Sequence, residues 1–231
     1  MKKIICVLLV MAMLLAGCGK GNNEQPGTTI QTPTETTEQV KLPERNVQMG
    51  TLEGGSYINE YVGIGIDMDA SWSVVPAEQL QDLPENVRDM FKGTDLEDVQ
   101  LTQFTDVMAE NIDKMVNFNI LYQKLGMKDR LAYAVMSEEQ ILDSILAMSD
   151  TLVDAYANAG IAVESVEKKN ISFLGEDRVA MYTVASVQGI PYYILQLYYY
   201  NLGAYSVTLT VGSFVEDNSQ SVLELFYSLE K

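Results

Sequence analysis

The second half of the chain alternates apolar and polar positions with a period of two, the signature of strands with one face toward a core. Four such stretches follow one another: Ile161 to Phe173, Arg178 to Val187, Ile190 to Tyr200 and Ala204 to Gly212. Gly175-Glu176-Asp177, Gln188-Gly189 and Asn201-Leu202-Gly203 stand between them and supply turn chemistry. The pattern predicts an antiparallel meander. Upstream, Ser56 to Asn59 and Val62 to Met68 read as a short hairpin turning near Glu60-Tyr61, with the large Trp72 buried at its base. Phe104 to Ala109 reads as a strand, and Asn111 to Lys114 as a turn. Met115 to Lys124 then puts Val116, Phe118, Ile120 and Tyr122 on one face, with Asn117, Asn119 and Gln123 on the other.

The period shifts to that of a helix in three places. Pro76 to Phe91 is helical in pattern, with Pro84 kinking it or starting a second helix, and Gly93 ending it. Ser137 to Asn158 carries the stripe Ile141, Leu142, Ile145, Met148, Leu152, Val153 and Tyr156. Ser137 and Gln140 form a capping box at its start, and Gly160 stops it. Ser219 to Leu229 presents Val222, Leu223, Phe226 and Leu229, with Asn218 as cap. Strands and helices in this order predict an α+β fold, a mainly antiparallel sheet packed by helices.

The first 50 residues follow neither period. Lys2 and Lys3 precede an apolar run, Ile4 to Leu15, which is shorter than the roughly 20 residues of a membrane span and fits a secretory signal. The run ends in Leu15-Ala16-Gly17-Cys18, which resembles the lipobox of bacterial lipoproteins. That resemblance implies a signal peptide over residues 1–17, cut before Cys18, and acylation of Cys18, which anchors the chain in the cell membrane on its extracytoplasmic side. Residues 18–50 are rich in Thr and Pro and poor in large apolar groups. They read as a flexible tether, because they bury too little surface to offset the entropy of ordering. Residues 51–231 suit one domain with a real core.

Composition narrows the chemistry. The chain has no His, which removes Ser-His-Asp and Cys-His catalysis and His-ligated zinc. Of its two Cys, Cys6 lies in the segment that the lipobox resemblance implies is removed, and if Cys18 carries lipid as that resemblance implies, no thiol remains for catalysis, disulfides or metal binding. With 32 acidic against 15 basic residues the net charge is −17, which excludes nucleic acid as a partner. Processing removes Lys2 and Lys3 and no acid, leaving 15 less 2 basic residues and a balance of −19. An anionic membrane repels such a domain as a whole, so the lipid holds it there.

The stretch Tyr57 to Ile66, followed by Ser71-Trp72, resembles the opening of PsbP-like domains. Thr105 to Asn111 followed by Val116 to Ile120 resembles their second strand pair. The resemblance covers most of residues 56–230. It implies an αβα sandwich and an interaction module more than an enzyme.

Candidate sites are few. Asp67, Asp69, Ser71 and Glu78 imitate the spacing of a calcium loop, but Trp72 stands where that loop needs Gly. Asp95, Glu97 and Asp98, like Glu176 and Asp177, read as solvated acidic loops. Ser165 to Lys168 and Ser228 to Lys231 spell S-x-x-K without the motifs that accompany it in penicillin-binding enzymes. No cofactor motif is present. Six tyrosines lie between positions 192 and 205. Tyr193 and Tyr199 share the face of Leu195 and Leu197, while Tyr192, Tyr198 and Tyr200 share the other. That second face is either core or an open binding surface for a protein, peptide or sugar. The resulting expectation is a lipid-anchored, non-catalytic binding or accessory module of the cell envelope, with a possible envelope protein as partner. A ligand- or calcium-binding lipoprotein is the alternative, and a hydrolase using two carboxylates stands behind it.

Overall fold

The computed structural model describes residues 47–75, 103–200 and 202–229. The helix expected over Pro76 to Phe91, the acidic residues 95–98, the Leu15–Cys18 motif and most of the tether lie outside the described residues.

The meander forms as its alternation demands. β7 (Ile161–Phe173), β8 (Glu176–Val187), β9 (Ile190–Tyr199) and β10 (Tyr205–Phe214) pair in sequence, all antiparallel. Leu174-Gly175 and Gln188-Gly189 close the first two hairpins, and all four residues have positive φ. These are the two-residue loops that match the strand twist. The first turn therefore sits one residue earlier than expected, and Glu176 and Asp177 open β8. β10 pairs with β6 (Val116–Lys124), which pairs with β5 (Gln103–Asn111) and, beyond it, the short β4 (Ser73–Val74). The result is a seven-stranded sheet in the order β4-β5-β6-β10-β9-β8-β7. A smaller sheet holds β1 (Thr51–Glu53), β2 (Ser56–Asn59), β3 (Ile64–Asp67) and β11 (Phe226–Ser228).

Each face of the large sheet has its own core. On one, Val116, Phe118, Ile120 and Tyr122 meet Tyr57, Ile64 and Ile66 of the small sheet and Tyr61 of its β2–β3 turn, together with Val222 and Leu223 of α4 (Ser219–Leu223). Trp72 is half-buried here, its ring edge-on to Phe118 at 5.5 Å. On the other face, Tyr192, Ile194 and Tyr198 meet Leu142 of α2 (Glu138–Leu146) and Leu152 and Tyr156 of α3 (Ser149–Asn158). The α+β class, a mainly antiparallel sheet packed by helices, is the architecture observed.

Three elements differ from expectation. The long helix over residues 137–158 is two helices, broken at Ala147-Met148. Its capping box is present, with Ser137 Oγ accepting from the Gln140 amide at 3.2 Å and Gln140 Oε1 accepting from the Ser137 amide at 2.9 Å. A further helix, α1 (Met127–Tyr133), precedes them. The final helix stops at Leu223, and Phe226–Ser228 pairs with Ile64–Ile66 instead. The backbone hydrogen bonds of that pairing outweigh a local helical pattern only about three turns long. Asn218 occupies the cap position, but the Ser219 amide donates to Asp217 Oδ1 at 3.1 Å.

Candidate functional site

The tyrosine strand divides as its alternation requires, but its second face is covered. Tyr192 is 0% and Tyr198 is 4% exposed beneath α2 and α3. Tyr192 stacks on Phe214 at 4.2 Å, and Tyr198 on Tyr200 at 5.9 Å. Tyr200 is half-buried and lies 4.9 Å from Tyr133 of α1. Burial raises the hydroxyl pKa of both Tyr192 and Tyr200. Tyr192 and Tyr198 thus lie in the core, and Tyr200 is half-buried at its edge. The apolar stripe of α2 and α3 needs a partner surface, and large aromatic rings supply one.

Asp67, Asp69 and Lys168 among these candidates are likewise engaged in contacts of their own. Asp67 accepts from Ser56 Oγ at 2.6 Å and from Tyr227 Oη at 3.4 Å. Asp69 accepts from the Ser71 amide and hydroxyl, which lower its pKa. Glu78 lies outside the described residues, among which no cluster of three His, Cys, Asp or Glu is placed to hold a metal ion. Ser165 and Lys168 lie opposite Val184 and Met181 on a strand, so their side chains leave opposite faces. The Lys168 ammonium reaches Asp143 at 2.7 Å and Glu139 at 3.1 Å on α2.

A polar cluster that the sequence did not reveal is built around Asp106. In β5, Thr105 pairs with Leu121 and Val107 with Ile120, which leaves Asp106 as the extra residue of a β-bulge. The bulge turns both Asp106 and Val107 toward the small sheet. There, Tyr57 and Asn59, two apart on β2, point the same way. Tyr57 Oη donates to Asp106 Oδ2 at 2.6 Å. The two amide hydrogens of Asn59 are shared among Asp106 Oδ2 at 2.9 Å, Tyr57 Oη at 2.8 Å and Tyr122 Oη at 2.7 Å. Asn59 Oδ1 accepts from the Val62 amide at 2.9 Å, which fixes the side chain by its own hairpin turn.

The cluster also holds the end of the tether. The Gly50 amide donates to both oxygens of Asp106, at 2.8 and 3.1 Å. Tyr122 Oη donates to the Gln48 carbonyl at 3.1 Å. A Cβ at position 50 would fall 2.3 Å from the Tyr57 ring, so only glycine brings its amide this close. The folded unit therefore begins before Thr51, with residues 48–50 pinned to it. Burial raises the pKa of Asp106, against the lowering effect of donation from Tyr57, Gly50 and Asn59. Burial, then the Asp106 charge, raises that of Tyr57. Both carboxylate oxygens accept from internal donors, so the cluster works as a staple. The distance along the chain from Asp106 to its partners, 47 to 56 residues, left no local signal.

No family model and no curated protein matches the sequence. Among solved structures the chain is similar to the solution structure of cyanobacterial PsbP (CyanoP) from Synechocystis sp. PCC 6803. The two are 12% identical, the match covers 79% of this chain and 94% of that one, and the TM-score is 0.40.

Proposed function

We propose that this chain is a lipid-anchored, non-catalytic binding or accessory module of the cell envelope, displayed on the extracytoplasmic face of the membrane. The reading is carried by Leu15-Ala16-Gly17-Cys18 at the end of a short apolar run, with a Thr- and Pro-rich tether behind it. The pinning of Gln48 and Gly50 on Asp106 and Tyr122 supports it, because it gives a tethered domain a defined point of attachment. Acyl chains on Cys18 provide stable anchoring without a spanning helix.

The test compares the wild type with Cys18→Ala in bacterial cells fed an alkyne-tagged palmitate. The wild type takes up the tag and sediments with membranes, while Cys18→Ala does neither. A Cys18→Ala protein that is still tagged, or an untagged wild type, overturns the reading.

A further inference from the structure

We infer that the end of the large sheet where the tether joins is a bilayer-contacting surface, with the outer side of α1 lying on the lipid. The inference rests on the anchoring proposed above and adds where the domain meets the membrane. α1 buries none of its residues. Its inner side is held by Tyr133 against Tyr200. Its outer side carries Met127, Leu131 and, in the turn that ends it, Val135, at four-residue intervals. These are 60%, 43% and 67% exposed. Three large apolar groups in one row on an amphipathic segment mark an interaction surface, since isolated exposed residues do not line up in this way.

Position and charge point to lipid. The Leu125 amide donates to the Ala204 carbonyl at 2.8 Å, so α1 leaves from the sheet end that also holds the β9–β10 connection. Tyr122, two residues before the end of β6, holds Gln48. The tether therefore arrives at this same end, and Val47 and Met49 are exposed there on either side of Gln48. From Lys124 to Ser137 the sequence carries Lys124, Lys128 and Arg130 against the single acid Asp129, within a chain of net charge −17. Lys124 and Lys128 are exposed. An apolar row flanked by cations suits an interface with anionic headgroups. The opposite end of the sheet also exposes apolar residues, Ile112, Ile190 and Val215, but no tether brings it to the membrane.

The test uses the full lipidated protein in vesicles of phosphatidylethanolamine and phosphatidylglycerol doped with spin-labelled lipid. Leu131→Cys or, at the far end, Ile190→Cys supplies the only free thiol of the processed chain, and an environment-sensitive dye is attached to it. Flotation of the vesicles reports anchoring, and the dye reports contact. The expected result is that both proteins float, with emission blue-shifted and quenched at position 131 and unchanged at 190. Floating proteins whose dyes respond equally, or more strongly at 190, overturn the docking surface and leave the anchoring intact. Proteins that stay at the bottom, with Cys18 itself taking up dye, overturn the anchoring and the inference with it.

Discussion

Tyr57→Phe isolates the staple at the tether junction. The change keeps the ring, which is 1% exposed, and removes only the hydroxyl that donates to Asp106 at 2.6 Å and accepts from Asn59. A hydrogen bond to a charged group contributes about 1.5–3 kcal/mol. Asn59 keeps Asp106 and Tyr122 as acceptors, so its amide is not stranded. The expected loss at neutral pH is therefore about 2 kcal/mol. For a domain of this size that lowers Tm by roughly 4–8 °C. Urea unfolding followed by the fluorescence of Trp72, the single Trp, measures it directly. The slope m is expected to stay constant while the midpoint falls. Once the pH is low enough to protonate Asp106, the penalty shrinks to that of a neutral bond, about 1 kcal/mol. A variant within about 0.5 kcal/mol of wild type at neutral pH, or a penalty that grows on acidification, would refute this reasoning.

Three further changes test other parts of the domain. Gly212→Ala places a Cβ 2.7 Å from Asn117 Oδ1 and 2.8 Å from Tyr192 Oη on β10, an interior strand of the large sheet; overpacking of this kind costs about 1–3 kcal/mol, read in the same urea titration. Asn119 is fully buried with neither amide atom hydrogen-bonded, so Asn119→Leu is expected to stabilise by about 1–2 kcal/mol; a loss instead would show that the amide is satisfied. Burial pushes the Asp217 carboxyl up, but donation from Ser219, Tyr182 and Lys169 outweighs it and brings the pKa down to about 2 from 3.8. Its stabilisation is complete above pH 4 and is lost as pH falls toward 2. Asp106, raised above 3.8, has the opposite sign, its folded form losing stability as pH rises through its pKa. Asp217→Asn therefore flattens the acid limb of stability against pH between 4 and 2, and an unchanged limb counts against the assignment.

The parts legible in the sequence were those fixed by local period and turn chemistry. Gln188-Gly189 and the alternation around it specified both the β8–β9 hairpin and the face of each tyrosine. What alternation leaves open is which face is covered, and that is why a binding surface at Tyr192 and Tyr198 stood beside the reading as core. The break at Ala147-Met148 carries neither Gly nor Pro, and the stripe resumes in phase at Leu152, so nothing local announces it. Phe226 fits a helical stripe and a strand alike, and only its distant partner Ile66 decides between them. The Asp106 staple is entirely a product of tertiary structure, since a bulge in β5 aims a carboxylate at β2 and at the end of the tether.

Anchoring through Cys18 is the claim on which the rest of the functional reading depends. Intact-mass spectrometry of the protein purified from membranes of the cells that make it tests this most directly. The account requires a chain that begins at Cys18 and carries the added mass of a diacylglycerol thioether. A mature chain that starts elsewhere, or one that starts at Cys18 with an unmodified thiol, would contradict it.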